Sequence, residues 1–297
     1  MYDIEALYEA QSPEHAVKLR AEHPEAVIIA GGSDVLIKIR EGEKAGCTLI
    51  SIQKLDELRG VTVDNGGPHA GALRIGALTS FSHIAKDPLI KKNIYTLAEA
   101  ADTVGGPQLR NIATIGGNVC NGVTSADSAS TLLAFDAVME YLGPGGKRLV
   151  PIKEHYVAAG KTALNPDEIL LSIIIPKESY ENCYGHYIKY AMREALDIAT
   201  LGCSANVVLS EDKKNILRLR LAYGVAGPVP LRAVSAEKTV ENKSVSEETI
   251  AAAAKAALDD INPRTSWRAT KEFRLQLAEE LAKRAIRESI KRAGGVL

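Results

Sequence analysis

The sequence has no surplus of charge of either sign: 36 lysines and arginines stand against 37 aspartates and glutamates, a formal net charge of −1. That balance leaves no global field to hold a nucleic-acid backbone, which argues against a dedicated nucleic-acid binder. No run approaches the roughly 18 apolar residues of a membrane span. The opening stretch, MYDIEALYEAQSPEHA, is acidic where a secretory leader carries basic residues and then an apolar run, so the expected location is the cytoplasm. The four cysteines, Cys47, Cys120, Cys183 and Cys203, are scattered, with no C-x-x-C pair and no histidine at zinc-finger spacing. Reduced thiols and no metal site are expected, and this chain by itself lacks a four-thiolate set for an iron–sulfur cluster.

Familiar catalytic and nucleotide signatures are missing too. The six histidines form no H-E-x-x-H, and neither G-x-S-x-G nor G-x-G-x-x-G occurs. The glycine run GPGGKR (143–148) lacks the Ser or Thr of a P-loop and reads as a hairpin turn. Glu154-His155 reads as a solvated pair rather than an acid/base couple.

What is present is ordinary globular material. Hydrophobic content of 46%, charged content of 25%, 24 glycines and 12 prolines exclude collagen, coiled coil and wholesale disorder. At 297 residues the chain predicts two domains, or one with distinct lobes. Ser12-Pro13 reads as an N-cap followed by proline at the first helical position, and AVIIA (26–30) as a short strand ended by Gly31-Gly32. CTLISI (47–52) is a second buried-type strand, so residues 1–55 predict a small parallel α/β lobe.

From residue 56 to 176 the pattern changes to α+β. Short strands with turn chemistry, a VMEY…RLVPI hairpin and the apolar strand EILLSIIIP alternate with helices such as NIYTLAEAADTV. Residues 180–297 read as a separate domain: strand candidates YGHYIKYAM, LGCSANVVLS and ILRLRLAYGVAG, then a helical tail with apolar residues near i, i+3, i+4 spacing.

Two stretches alike in form, IIAGGSD (28–34) and TIGGNVC (114–120), set adjacent glycines after β-branched residues. Such loops expose backbone N–H groups with no side chain in the way, as binding a phosphate or pyrophosphate requires. A tight turn explains one Gly-Gly pair; two point towards a dinucleotide or another polyphosphate. Asp34 reads as a helix cap. Asp127 in SADSAS has two readings, helix cap or acceptor for a ribose or ring N–H. Lys189 and Arg193 read either as exposed strand charges or as partners of a bound anion.

These stretches, with GGPQLRNIATIGGNVCNGVTSADSASTLLAFDA, NPDEILLSIIIP, YIKYAMREALDIATLGCSA, RLAYGVAGPVPLRA and PRTSWRATKEFRLQL, resemble the FAD-binding subunits of the molybdenum hydroxylases, most closely those of bacterial xanthine dehydrogenases. The resemblance runs from Val27 to near Leu277. It implies an α+β, two-lobed vanillyl-alcohol-oxidase-type (PCMH-type) FAD-binding fold, followed by a smaller domain of three antiparallel strands and a helix bundle. By position, Val27, Ile28, Ile29, Ala30, Gly31, Gly32, Ser33 and Asp34 would wrap the FAD pyrophosphate through backbone N–H groups. Ala113, Thr114, Ile115, Gly116, Gly117 and Asn118 would form the second loop, against pyrophosphate and flavin.

Asp127 matches a residue that bonds the cofactor, Ile169 a backbone contact and Lys189 a side chain near the isoalloxazine; Val104 and Ile188 stand beside them. Ile115 occupies a place where some relatives carry an aromatic, and Ser33 one where many have threonine. The implied activity is oxidoreductase electron transfer: non-covalent FAD receives electrons from iron–sulfur clusters and passes them to NAD, with xanthine oxidised on a molybdopterin subunit. Partners are therefore an iron–sulfur subunit and a molybdopterin-binding subunit, in a symmetric assembly of heterotrimers. The open alternatives are a stand-alone flavin oxidase or reductase, a non-enzymatic nucleotide-binding or assembly subunit, and a partner acting on carbon monoxide, an aldehyde or an N-heterocycle.

Overall fold

The computed structural model describes residues 2–297. At the N-terminal end come β1 (Ile4–Glu9), α1 (Pro13–Glu22), β2 (Val27–Ile29), α2 (Val35–Arg40) and β3 (Cys47–Ser51). Both β1 and β2 pair with β3 in parallel, so β3 is central and β2 is an edge. The Ser12 hydroxyl accepts the His15 N–H while Pro13 fills the first turn, where a missing N–H costs nothing. Helix α1 turns Ala16, Val17 and Leu19 into a small core shared with Ile50, Leu142, Ile169 and Leu171. That core seats the parallel unit on the next sheet.

The second sheet is antiparallel. Its strands are β4 (Val61–Val63), β5 (Leu73–Gly76), β6 (Val138–Gly143), β7 (Gly146–Pro151) and, after the small hairpin of β8 (Tyr156–Ala158) and β9 (Lys161–Thr162), β10 (Ile169–Ile175). Their order is β4-β5-β10-β6-β7. The uninterrupted apolar run puts β10 in the middle, where it is buried along its whole length. The GPGG turn joins β6 to β7, with Gly143 opposite Gly146, as the hairpin reading expects.

Six helices run between β5 and β6: α3 (Phe81–Ile84), α4 (Pro88–Asn93), α5 (Tyr95–Asp102), α6 (Pro107–Ile112), α7 (Ile115–Cys120) and α8 (Asp127–Ala134). They share a core around Phe81, Leu97, Ile115, Leu132 and Ile173. Helix α9 (Ile152–His155) follows β7, and α10 (Lys177–Tyr180) follows β10. His155 departs from the expected solvated pair, for it is fully buried under α7. Its Nε2–H donates to the Val119 carbonyl at 3.1 Å, which leaves Nδ1 to accept the Tyr141 hydroxyl. Burial pushes its pKa down, so the ring is a neutral strut.

The third sheet is built on the antiparallel meander β11 (Tyr184–Tyr190), β12 (Leu201–Leu209) and β13 (Asn215–Gly224), with short β14 (Leu231–Arg232) and β15 (Lys243–Ser244) on β13. Helices α11 (Val234–Val240), α12 (Glu247–Ala256) and α13 (Lys271–Arg292) share its core, where Leu281, Ile286 and Ile290 cluster with Val207 and Leu221. Towards the second unit the sheet meets α5 and α8: Asn206 donates to the Ala134 carbonyl at 3.1 Å and accepts the Thr96 hydroxyl at 3.2 Å. Arg292 bonds Glu99 at 2.7 Å, and His186 lies 3.2 Å from the same carboxylate. Burial opposes the charge on Glu99, but these two partners hold its pKa below the usual value. The C-terminal sheet is thereby fixed against the helices that carry the candidate site.

Candidate cofactor site

The first glycine stretch lies between β2 and α2. Strand β2 is half-buried at all three residues, although it is wholly aliphatic, and Ala30 to Asp34 are half-buried as well. Gly32 has φ +73°, a backbone that L side chains rarely adopt. The consecutive N–H groups from Gly31 to Val35 find no acceptor among the described residues. A run of unspent donors at a glycine turn is an anion-binding concavity. Asp34 does not cap α2 with its side chain; it pairs with Lys38 at 2.6 Å and accepts from Asn121 Nδ2 at 3.2 Å.

The second stretch is not a loop but the first turn of α7, with the Thr114 hydroxyl accepting the Gly117 N–H at 3.1 Å. Its donors are spent: Ile115 on Thr79, Gly116 on Ala77, Asn118 on Thr114. The expectation of available N–H groups therefore holds for the first stretch and fails for the second, where the Thr79 and Ala77 carbonyls and the Thr114 cap consume them. The two glycines have different reasons. A Cβ at Gly116 would lie 2.6 Å from the Ala77 carbonyl oxygen, so that glycine permits α7 to touch the turn after β5. Gly117 is exposed, and a Cβ there would meet only Thr114 Oγ1, at 3.1 Å. A glycine inside a helix costs roughly 1 kcal/mol against alanine, and at 117 only the Thr114 hydroxyl, which would have to give by a few tenths of an ångström, opposes a side chain.

The fold brings the two stretches together. A Cβ at Gly31 would lie 1.9 Å from the Ile112 carbonyl oxygen, so the first turn presses directly on the chain entering Ala113 and Thr114. Lys38 and Asp34 of α2 clasp Asn121 at the end of α7. Gly31→Ala is expected to destabilise the protein by about 1–3 kcal/mol, since backbone must yield to the methyl group. Urea unfolding of the purified variant checks this.

From α7 the site continues to α8, where Ser128 donates to Asn118 Oδ1 at 2.7 Å. Asp127 opens α8 without capping it. Its carboxylate takes the Lys189 ammonium at 2.8 Å on Oδ2 and the Tyr187 hydroxyl at 3.0 Å on Oδ1. Burial raises the Asp127 pKa, against the pull of Lys189 and Tyr187. Lys189 is neither an exposed charge nor free for an anion: it also donates to the Thr103 carbonyl at 3.0 Å. A cleft of about 280 Å³ opens over it, lined by Thr103 and residues 189–195 and 197, including Arg193.

The remaining expected residues turn their side chains into the packed cores. Ile115 and Val104 are buried in the core of the second unit. Ile188 points into the opposite core, as strand alternation requires. Ile169 is buried too, and because β5 pairs with β10 only from Ser172 onward, its backbone faces no strand on that edge. Lys38, Asn121 and Tyr187 were not anticipated. Alternation along β11 signals Tyr187, two residues before Lys189, and the i, i+4 spacing from Asp34 signals Lys38; no local pattern signals Asn121. The thiols are free, and burial pushes Cys120 up to about 12.

An FAD fits these residues on the chain's own evidence: unspent donors suit a diphosphate, an exposed glycine lies on the helix clasped to them through Asn121, and a buried acceptor stands beyond. Comparison with known proteins agrees. Residues 2–178 match the family described as FAD binding domain in molybdopterin dehydrogenase, and residues 186–289 the CO dehydrogenase flavoprotein C-terminal domain. The xanthine dehydrogenase FAD-binding subunit of Escherichia coli O157:H7 is 41% identical over 297 residues, covering 100% of both chains. The carbon monoxide dehydrogenase medium chain of Hydrogenophaga pseudoflava is 28% identical over 88% of each. A solved carbon monoxide dehydrogenase from that organism superposes with a TM-score of 0.91 at 27% identity, covering 98% of this chain and 99% of that one. With a PCMH-type FAD-binding fold, its C-terminal companion domain and a full-length relative, this chain belongs to the FAD-binding subunits of the molybdenum hydroxylases.

Proposed function

We propose that this chain is the electron-exit subunit of a xanthine dehydrogenase: it carries FAD between iron–sulfur clusters on one partner subunit and NAD, while a molybdopterin subunit oxidises the purine. The observation that carries the reading is the run of unspent donors at residues 31–35, with the exposed Gly117 on the helix that Asn121 ties to Asp34 and Lys38. The end-to-end likeness to the E. coli subunit supports xanthine as the partner's substrate.

When bound, FAD supplies the exchange between one-electron carriers and a two-electron acceptor. The chain's residues do the rest. The N–H groups of Gly31 to Val35 hold the diphosphate, and Gly117 gives it room. Asp127 keeps acceptor capacity for a cofactor N–H or O–H, since each carboxylate oxygen has a second lone pair. Lys189 balances its charge, and the cleft above leaves a way in for the acceptor. His155 and the Asp34–Asn121 clasp hold the two glycine turns in register.

FAD-loaded chain without partners is expected to lose its visible flavin absorbance on anaerobic addition of NADH. A flavin that stays oxidised with NADH but bleaches with dithionite contradicts NAD as acceptor and leaves FAD carriage standing.

A further inference from the structure

Tyr187 sits on β11 two residues before Lys189, so both side chains leave the same face of the strand. The residue is 4% exposed, and its hydroxyl donates to Asp127 Oδ1 at 3.0 Å while Lys189 takes Oδ2. Its backbone N–H is tied to Glu99 at 3.3 Å, which fixes the strand at the point where the phenol leaves it. Across the sheet Gly202 makes room: a Cβ there would come 3.2 Å from the phenol oxygen. A core-filling tyrosine needs no such aim at a single carboxylate oxygen in another unit.

We propose that Tyr187 is a positioning residue for the cofactor: its phenol, delivered by the C-terminal sheet, fixes one oxygen of Asp127 and so sets the acceptor that the FAD-binding half presents. The inference rests on the reading of Asp127 as a cofactor acceptor. With Oδ1 and Oδ2 each held by one donor, the carboxylate cannot rotate, and one lone pair on each oxygen stays available. The C-terminal sheet thus takes part in cofactor binding through a residue that need not touch the cofactor.

The charged and titratable groups that bear on Asp127 are Lys189 and Tyr187 from β11; the Thr103 carbonyl, just after α5, is held by Lys189. Behind Tyr187 stands the Cys203 thiol of β12, which burial pushes up and keeps neutral. Binding that needs the Asp127 carboxylate is present above its pKa and lost as pH falls through it. Losing the phenol donor raises that pKa, so the loss must start at higher pH.

The test is FAD dissociation from the full chain, followed by flavin fluorescence from pH 8 down to the acid limit of folding, for wild type, Asp127→Asn and Tyr187→Phe. Tyr187→Phe is expected to weaken binding about tenfold at the acid end and to move the midpoint of the pH profile upward. A uniform loss at every pH, or no loss, overturns the proposal, since a packing role would not move the midpoint. Should Tyr187→Phe fail to fold, a fluorinated tyrosine at 187 keeps the shape and donates more strongly, and must move the midpoint downward. Asp127→Asn binding FAD as wild type does overturns the Asp127 assignment. A wild-type chain that takes up no FAD overturns the functional reading itself.

Discussion

Replacing Gly117 by leucine leaves the fold standing and removes FAD. The side chain leaves an exposed helical position, and the one neighbour within reach of its Cβ is the Thr114 hydroxyl. Helix propensity moves the apo protein in the favourable direction by somewhat under 1 kcal/mol. The isobutyl group then fills the space beside the donors of residues 31–35. FAD affinity should fall by at least about a hundredfold, roughly 2.7 kcal/mol. Thermal unfolding of the apo chain and a flavin titration read the two effects separately. Gly117→Ala, with much less bulk, is the intermediate case. Gly116 gives the contrast, because a side chain there strikes Ala77 and costs stability before any ligand is considered.

Asp127→Ala is expected to damage both stability and binding. The Asp127 and Lys189 side chains are each 9% exposed, and the pair joins the helical unit to the C-terminal sheet. Removing the carboxylate strands a nearly buried ammonium and leaves the Tyr187 hydroxyl without its acceptor. Breaking a buried pair in this way costs about 3–5 kcal/mol, with water at the cleft reducing that towards the lower figure. Asp127→Asn keeps an acceptor oxygen and should cost less. Urea midpoints for the two variants, compared with a Lys189→Met, Asp127→Ala double variant, isolate the cost of the unpaired charge.

Much of the architecture was legible because it is written locally. The Ser12-Pro13 cap, the apolar run of β10 and the GPGG hairpin each declare themselves within a few residues. Strand β1 did not, since none of its six residues reaches the core and only Ile4 and Ala6 are half-buried, and its partner Cys47–Ser51 lies some forty residues on. The second glycine stretch was misread for a propensity reason: Gly-Gly argues against helix, and here the Thr114 cap and the contact with Ala77 override it. Glu154-His155 looked solvated because its partners, Tyr141 and Val119, are brought to it only by the β6–β7 hairpin and α7.

The candidate site divides in the same way. The residues of both glycine stretches could be named from their pattern, and so could Asp127 and Lys189 from resemblance. What the sequence could not supply was their mutual arrangement. Asp127 had two readings because its donors lie sixty residues away on another sheet. Lys189 and Arg193 looked equivalent, yet one is nearly buried in an ion pair and the other lies in the loop that lines the cleft. Spacing fixes which face of a strand a residue uses; only the packing of β11 on α5 and α8 decides what that face meets.

The most direct test of the central claim is a titration of the stripped chain with FAD, followed by quenching of flavin fluorescence, in wild type and Gly117→Leu side by side. Equimolar uptake by wild type, lost in a variant with an unchanged apo unfolding midpoint, is the predicted result. Equal uptake by both, or by neither while wild type is folded, contradicts a cofactor seated between the two glycine stretches.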